Sequence, residues 1–418
     1  MFAFSAVGVF ALTLAGCEIG YLARGAYEEA RLLWHRKPIS EELAKPDLAP
    51  DVRAKLEMVL QVRSFARERL GLNVGGAYTS IAPVDANAIT WVVMAAPKDS
   101  LVPYTWWFPI VGRVPYRGYF DADSARAEAS QLESEGLDTL VRSAVAFSSL
   151  GFFNDPVLSN LLALDRVTLA GVIIHELFHR TYFLASDVMF DESAASYVGS
   201  RGAAEFFAAT EGEHAPNTVR AREVVASDLK FGDFLLKEEA HLLKLYGSGL
   251  GRDEILKQRV VLFKQVQADY SRLKPSLSGL ERFDLDKQPL NNAVLINYRL
   301  YFHHLDDFAA LDGLHHNDLR ATIEAIIGLA KANSNDPFYA IWQATRQAEA
   351  GSGTERVADR VSELGFVSGE EMVRAGDQLD RARPGQLFVQ RTDLRHGTVR
   401  VAITGNQNHS LLGPHDKR

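Results

Sequence analysis

Residues 171–199 read GVIIHELFHRTYFLASDVMFDESAASYVG, and the reading of the whole chain starts here. His175-Glu176-Leu177-Phe178-His179 has the spacing of a short zinc motif. On a helix, positions i and i+4 lie ~40° apart, so both imidazoles leave one face and can share one ion. Glu176 stands ~100° round from His175, close enough to hold a water at that ion without ligating it. Val172, Ile173, Ile174, Leu177 and Phe178 make the segment apolar nearly all round, which predicts a buried helix over Asp165–Leu184. Burying two histidines and a glutamate there is costly unless they are paired or bind a metal.

Zinc in hydrolases takes three protein ligands and leaves a fourth position open. The third donor is expected from the next helix, where Glu192 precedes small residues that permit close packing. Glu192 follows His179 by 13 positions, room for a helix end, a turn and a return. Asp191 and Glu205 are the competing carboxylates. No histidine follows at the spacing of the other zincin type, and His214 lies along a polar stretch.

Outward from this segment the composition narrows the choices. The chain has 418 residues, 47% hydrophobic and 23% charged, with a net charge of −8. These proportions exclude a disordered chain and a polytopic membrane protein. The charge gives no broad basic field, so no nucleic-acid partner is expected. A single cysteine, Cys17, rules out an intrachain disulfide and any cysteine-based zinc cluster.

The uncharged apolar run Met1–Gly16 has the length and small-residue ending of a signal peptide. Leu14-Ala15-Gly16-Cys17 resembles the lipobox of bacterial lipoproteins, in which the cysteine is acylated. On that reading residues 1–17 are leader and lipobox, and Cys17 anchors the protein to a bacterial membrane on its periplasmic side. A buried N-terminal helix ending in cysteine is the alternative, and the run lacks the usual basic start.

Helices are expected over Glu18–Lys37, Asp51–Leu70 and Asp123–Gly136, and through most of Glu192–Ala348, with breaks near Gly247–Gly251 and Pro275–Pro289. Strands are expected at Tyr78–Ile81, Thr90–Ala95, Leu101–Phe108 and Thr139–Phe147, with short runs at Leu387–Gln390 and Val399–Ile403. The fold class is α+β, mostly helical: a zincin-like core with a small N-terminal sheet packed on a helical body. Residues 18–350 read as the metallopeptidase domain and 351–418 as an extension whose role is not legible.

The ordered blocks Phe108–Asp121 (FPIVGRVPYRGYFD), Leu137–Pro156 (with SSLGFFNDP), Val172–Gly199, and Asn291-Asn292-Ala293 followed by Tyr301 resemble a bacterial family of predicted zinc aminopeptidases of the lipoprotein type. The likeness runs to about His304. It implies one zinc ion on His175, His179 and Glu192, Glu176 as catalytic base, and a peptide substrate. The chain departs from the family pattern at Phe147, Phe152 and Asn154, where the family has Tyr, Trp and Asp. At Asp191 it tends to have Asn.

Peptide hydrolysis at zinc also needs a donor for the oxyanion. Tyr301 is the first candidate, His303 the second and Tyr119 the third, each equally readable as packing. Asp121 is a candidate receptor for a substrate's α-ammonium, with a helix N-cap as its alternative. Tyr116-Arg117-Gly118-Tyr119 reads as irregular strand or loop lining a cleft. The His303-His304 and His315-His316 pairs point apart and make no convincing second metal site. No phosphate-cradling loop and no Gly-x-Ser-x-Gly occur. The expected activity is zinc-dependent removal of N-terminal residues from peptides. A zinc endopeptidase of envelope proteins and a non-catalytic zinc-stabilised scaffold are the alternatives.

Overall fold

A computed structural model describes residues 34–84, 90–108, 111–144, 154–280 and 283–351. Cys17 with its leader, the expected helix over 18–37 apart from its end, Phe147, Phe152 and the C-terminal runs at 387–390 and 399–403 lie outside the described residues.

The described chain is α+β and mostly helical. Its helices are α1 (Ile39–Leu43), α2 (Pro50–Glu68), α3 (Ala122–Ser134), α4 (Arg166–Thr181), α5 (Val188–Glu211), α6 (Pro216–Tyr246), α7 (Arg252–Leu273), α8 (Asn292–Phe302), α9 (Leu305–Leu314), α10 (Leu319–Ala332) and α11 (Pro337–Gly351). The strands are β1 (Lys37–Pro38), β2 (Ser80–Ala82), β3 (Thr90–Pro97), β4 (Trp106–Phe108), β5 (Gly112–Val114), β6 (Arg117–Tyr119), β7 (Leu137–Ala144) and β8 (Val157–Leu158).

One small sheet is expected from the sequence, and the strands instead divide among three. β3 lies between β6 and β7, antiparallel to both, with Val92 opposite Gly118 on one side and Arg142 on the other. β3 is apolar without alternation, the pattern of a strand covered on both faces. Val93 and Ala95 pack with Ala125, Ala129 and Leu132 of α3. Val92, Met94 and Ala96 pack with Ile296 and Leu300 of α8. β1, β2 and β8 make a second sheet, and β4 with β5 a separate hairpin.

Two expected strands shrink. Tyr78 sits at φ 57°, in the left-handed region, and donates its N–H to Asp155 O at 2.8 Å. Extended backbone therefore begins only at Ser80. Of Leu101–Phe108, only Trp106–Phe108 pairs, because the chain first turns back so that Tyr104 N–H reaches Ala95 O at 2.8 Å.

At the centre, Asp165 caps α4 by accepting from Val167 N and Thr168 N, each at 3.1 Å. The helix ends where Tyr182 turns extended. Asp187 then caps α5 through Phe190 N at 3.1 Å. α5 begins at Val188, a turn earlier than the sequence suggests, because this cap precedes the apolar pattern. The two helices touch at Gly171 and Gly199. A Cβ on Gly199 would lie 2.8 Å from Gly171 O and 3.1 Å from His175 Cβ, so only glycine allows this approach. Among the described residues no helix is long and apolar enough to cross a membrane.

Candidate metal centre

α4 presents His175 and His179 on one face, one turn apart, and α5 brings Glu192 across to them. The His175 and His179 Nε2 atoms are 3.1 Å apart. Glu192 Oε2 lies 3.3 Å from His175 Nε2 and 3.6 Å from His179 Nε2. Bonds of ~2.0–2.1 Å in a tetrahedron separate ligand atoms by about 3.3 Å. The three donors thus form the triangle that a tetrahedral zinc ion requires, and two imidazoles with one carboxylate are a zinc donor set. Glu176 stands beside it with Oε2 buried and without a hydrogen-bond partner among the described residues. A buried carboxylate oxygen left so fits a group, such as a water at the ion, that the protein atoms alone do not supply.

Electrostatics bind the triangle together. Burial alone would lower the His179 imidazole, but the Glu192 carboxylate outweighs it and carries it up to about 9. Burial alone would raise Glu192, but His179 and His175 hold it well below the usual carboxylate range. At neighbouring Asp191 burial outweighs the opposing pull of His179. Burial pushes it up to about 8 against one hydrogen bond from Leu184 N at 2.9 Å. Of the competing carboxylates, Asp191 lines the same cavity, whereas Glu205 pairs with Arg201 at 3.2 Å.

The triangle opens into a cavity of about 740 Å³ between α4, α5, α8 and the β3 sheet. Tyr301 lines it, its ring 6.3 Å from that of His175. Its hydroxyl accepts a hydrogen bond from Arg142 Nη2 at 3.2 Å. Burial and the facing Glu192 push this phenol up to about 12, with Arg142 working against them. Tyr116 lines the same cavity, and burial foremost keeps its phenol protonated.

Several sequence candidates stand elsewhere. Tyr119 is absent from the cavity wall and packs with Trp91, Trp106 and Val141 on the α3 face of the sheet. Residues 117 to 119 form a paired strand, so Tyr119 cannot share the cavity side with Gly118. Asp121 is the N-cap of α3, accepting from Ser124 N at 2.7 Å and Ser124 Oγ at 2.9 Å, and is likewise not in the wall. His303 also stays out of it, beside Arg299 and Glu239, and burial pushes its imidazole down. His304, Asp306 and Asp307 form a second group of close donors, which is the first turn of α9 with His304 as its N-cap. Asn154 accepts from Gly76 N at 3.1 Å, away from the cavity.

Arg142 and Asn297 are cavity residues that the sequence reading did not single out. A signal existed for Arg142: it shares a pleat face with Leu140 in a strand whose partner is apolar from Trp91 to Pro97, so a charge must point at the core. Recognising it needed the pairing with β3, which no local pattern supplies.

No match was found among curated proteins or among solved structures. One family model does match, across residues 20–338, and it spans the sheet, α4, α5 and α8 together with every donor of the triangle. The chain therefore belongs to the family described as "Putative aminopeptidase".

Proposed function

We propose that the chain hydrolyses peptides from a free amino terminus with one zinc ion held by His175, His179 and Glu192. The donor triangle of 3.1, 3.3 and 3.6 Å carries this reading, and the family supports peptide hydrolysis in general terms. When bound, zinc supplies Lewis-acid polarisation and acidifies water. Glu176 takes the proton of the attacking water and passes it to the leaving amine. Tyr301 donates a hydrogen bond to the carbonyl oxygen as it gains charge. The lipobox reading adds a lipid anchor at Cys17 and a site outside the cytoplasm. Mass spectrometry of detergent-extracted protein for an acylated Cys17 checks it.

The test offers matched peptides with free and N-acetylated termini to zinc-loaded protein lacking residues 1–17, beside Glu176→Gln. Cleavage of the free peptide alone, reduced about 10²–10⁴-fold in the variant with zinc retained, is expected. Equal cleavage of both peptides makes the protein an endopeptidase. Zinc bound without cleavage of either makes the site structural.

A further inference from the structure

Arg142 faces the cavity from β7, across from Val92 of β3. It is the one arginine or lysine among the described residues of the cavity wall. Its surroundings on this side of the sheet are apolar: Val92, Met94, Leu140, Ile296 and Leu300. Placing a guanidinium there is costly, and two hydrogen bonds offset the cost. Arg142 Nε donates to Asn297 Oδ1 at 2.6 Å and Nη2 donates to Tyr301 OH at 3.2 Å. Asn297 and Tyr301 are i and i+4 on α8, so one planar fork grips two adjacent side chains of one helix face. The guanidinium carbon also lies 6.0 Å from the Tyr301 ring centre.

This arrangement fixes which way the Tyr301 proton points. A guanidinium only donates, so the phenol oxygen must be the acceptor of that bond. The phenol's own proton is therefore excluded from the side of the oxygen that Arg142 Nη2 takes up at 3.2 Å. No described residue accepts from Tyr301, and its ring lies beside His175 in the cavity.

We infer that Arg142 is a positioning residue that locks the Tyr301 hydroxyl as a donor aimed at the scissile carbonyl oxygen. The inference rests on the peptidase reading above and adds to it a residue that touches neither metal nor substrate. Arg142 acts through Tyr301, whose hydrogen bond strengthens only as the carbonyl oxygen becomes negative. Losing Arg142 therefore lets the phenol rotate and lowers turnover, while ground-state binding of the peptide stays as it was.

The test uses zinc-loaded protein with Arg142→Met, Arg142→Lys, Tyr301→Phe, Tyr116→Phe and the doubles of Arg142→Met with each phenylalanine variant. Tyr301→Phe is expected to lower kcat by about 10²-fold with KM within twofold, the scale of one lost oxyanion donor. Arg142→Met is expected to lower kcat about 10- to 100-fold, again at near-constant KM. Its double with Tyr301→Phe should be no slower than Tyr301→Phe alone, within about threefold, whereas its effect persists in full on Tyr116→Phe. Arg142→Lys, which keeps the charge and loses the fork, should fall between. If Arg142→Met does not fold, the same cycle is run with Arg142→Lys.

A second readout avoids turnover. In Glu176→Gln, Arg142→Met should weaken a phosphinic pseudopeptide at least tenfold and leave the matching peptide's Kd within twofold. Multiplicative losses in the Tyr301 double overturn the inference, as does a rise in KM at constant kcat, which would make Arg142 a substrate contact. Equal weakening of both ligands also overturns it. A wild-type chain that cleaves no peptide, or an active Glu176→Gln, overturns the peptidase reading and the inference with it.

Discussion

Glu192 and Asp191 are neighbours on one turn of α5, yet burial acts on them with opposite outcomes. For Glu192 the two imidazoles overcome it and keep the carboxylate charged. For Asp191 burial prevails, and the group is carried up to about 8, a neutral acid at pH 7. The folded chain therefore holds a proton that the unfolded chain releases above its usual 3.8. The stability this contributes is present below pH 3.8 and is lost as pH rises through about 8. Asp191→Asn carries no such titration and matches the neutral acid in shape. In urea denaturation of metal-free protein the variant should gain on the parent steadily from pH 5 to 8.5. A variant less stable at pH 8.5 than the parent would contradict this account. This behaviour was invisible in the sequence, where Asp191 stood as a rival ligand, because burial and partner geometry set its charge.

At the scale of elements, α4 against α5 holds the donors together, and its tolerance is set by two glycines that are not equivalent. A Cβ at Gly199 would press on Gly171 O and on His175 Cβ, whereas a Cβ at Gly171 meets Gly199 O at an ordinary 3.6 Å. Gly199→Ala should cost about 1–3 kcal/mol by overpacking and weaken zinc binding at least tenfold, because His175 must move. Gly171→Ala should be neutral, or stabilising by up to about 1 kcal/mol through helix propensity. Chemical denaturation and competition with a chelator check both. The start of α4 was legible, since Asp165 opens the apolar run and the motif repeats at helical spacing, whereas its end, expected at Leu184, comes at Thr181. The β-region was less so. Tyr78 and residues 101–105 have strand-like side chains, but a left-handed residue and a long-range hydrogen bond direct their backbone elsewhere.

Over the whole molecule, the charges of the donor triangle couple folding to pH and, on the proposed reading, to zinc. His179 is raised from 6.5 to about 9, so its contribution to the metal-free fold is complete below pH 6.5 and is lost as pH rises through about 9. Glu192 is depressed, so its contribution is present above its usual 4.5 and is lost as pH falls. On the proposed reading zinc would take the place of the proton that this pair shares, so its binding should strengthen as pH rises toward 9. The Tm of the metal-free chain should decline between pH 6.5 and 9, with Asp191 adding to the decline. The increment on adding zinc should grow over the same interval, reaching about 2.7 kcal/mol at 100 times Kd. Calorimetric scans with zinc and with EDTA at pH 6, 7.5 and 9 measure both trends. An increment that shrinks with pH would place the metal elsewhere.

The sequence by itself determined what periodicity and spacing can carry: the buried helix, the two histidines on its one face, Glu176 beside them, and a carboxylate on the next helix. These follow from helical geometry over short separations. Only the tertiary structure decided that Glu192 and not Glu205 meets the histidines, that Tyr119 and Asp121 belong to packing and capping, and that Arg142 grips Tyr301. Arg142 and Tyr301 are 159 positions apart and meet because β7 pairs with β3 and α8 packs on that sheet. Contacts of that kind depend on which faces are buried together, and no local pattern in the chain records them.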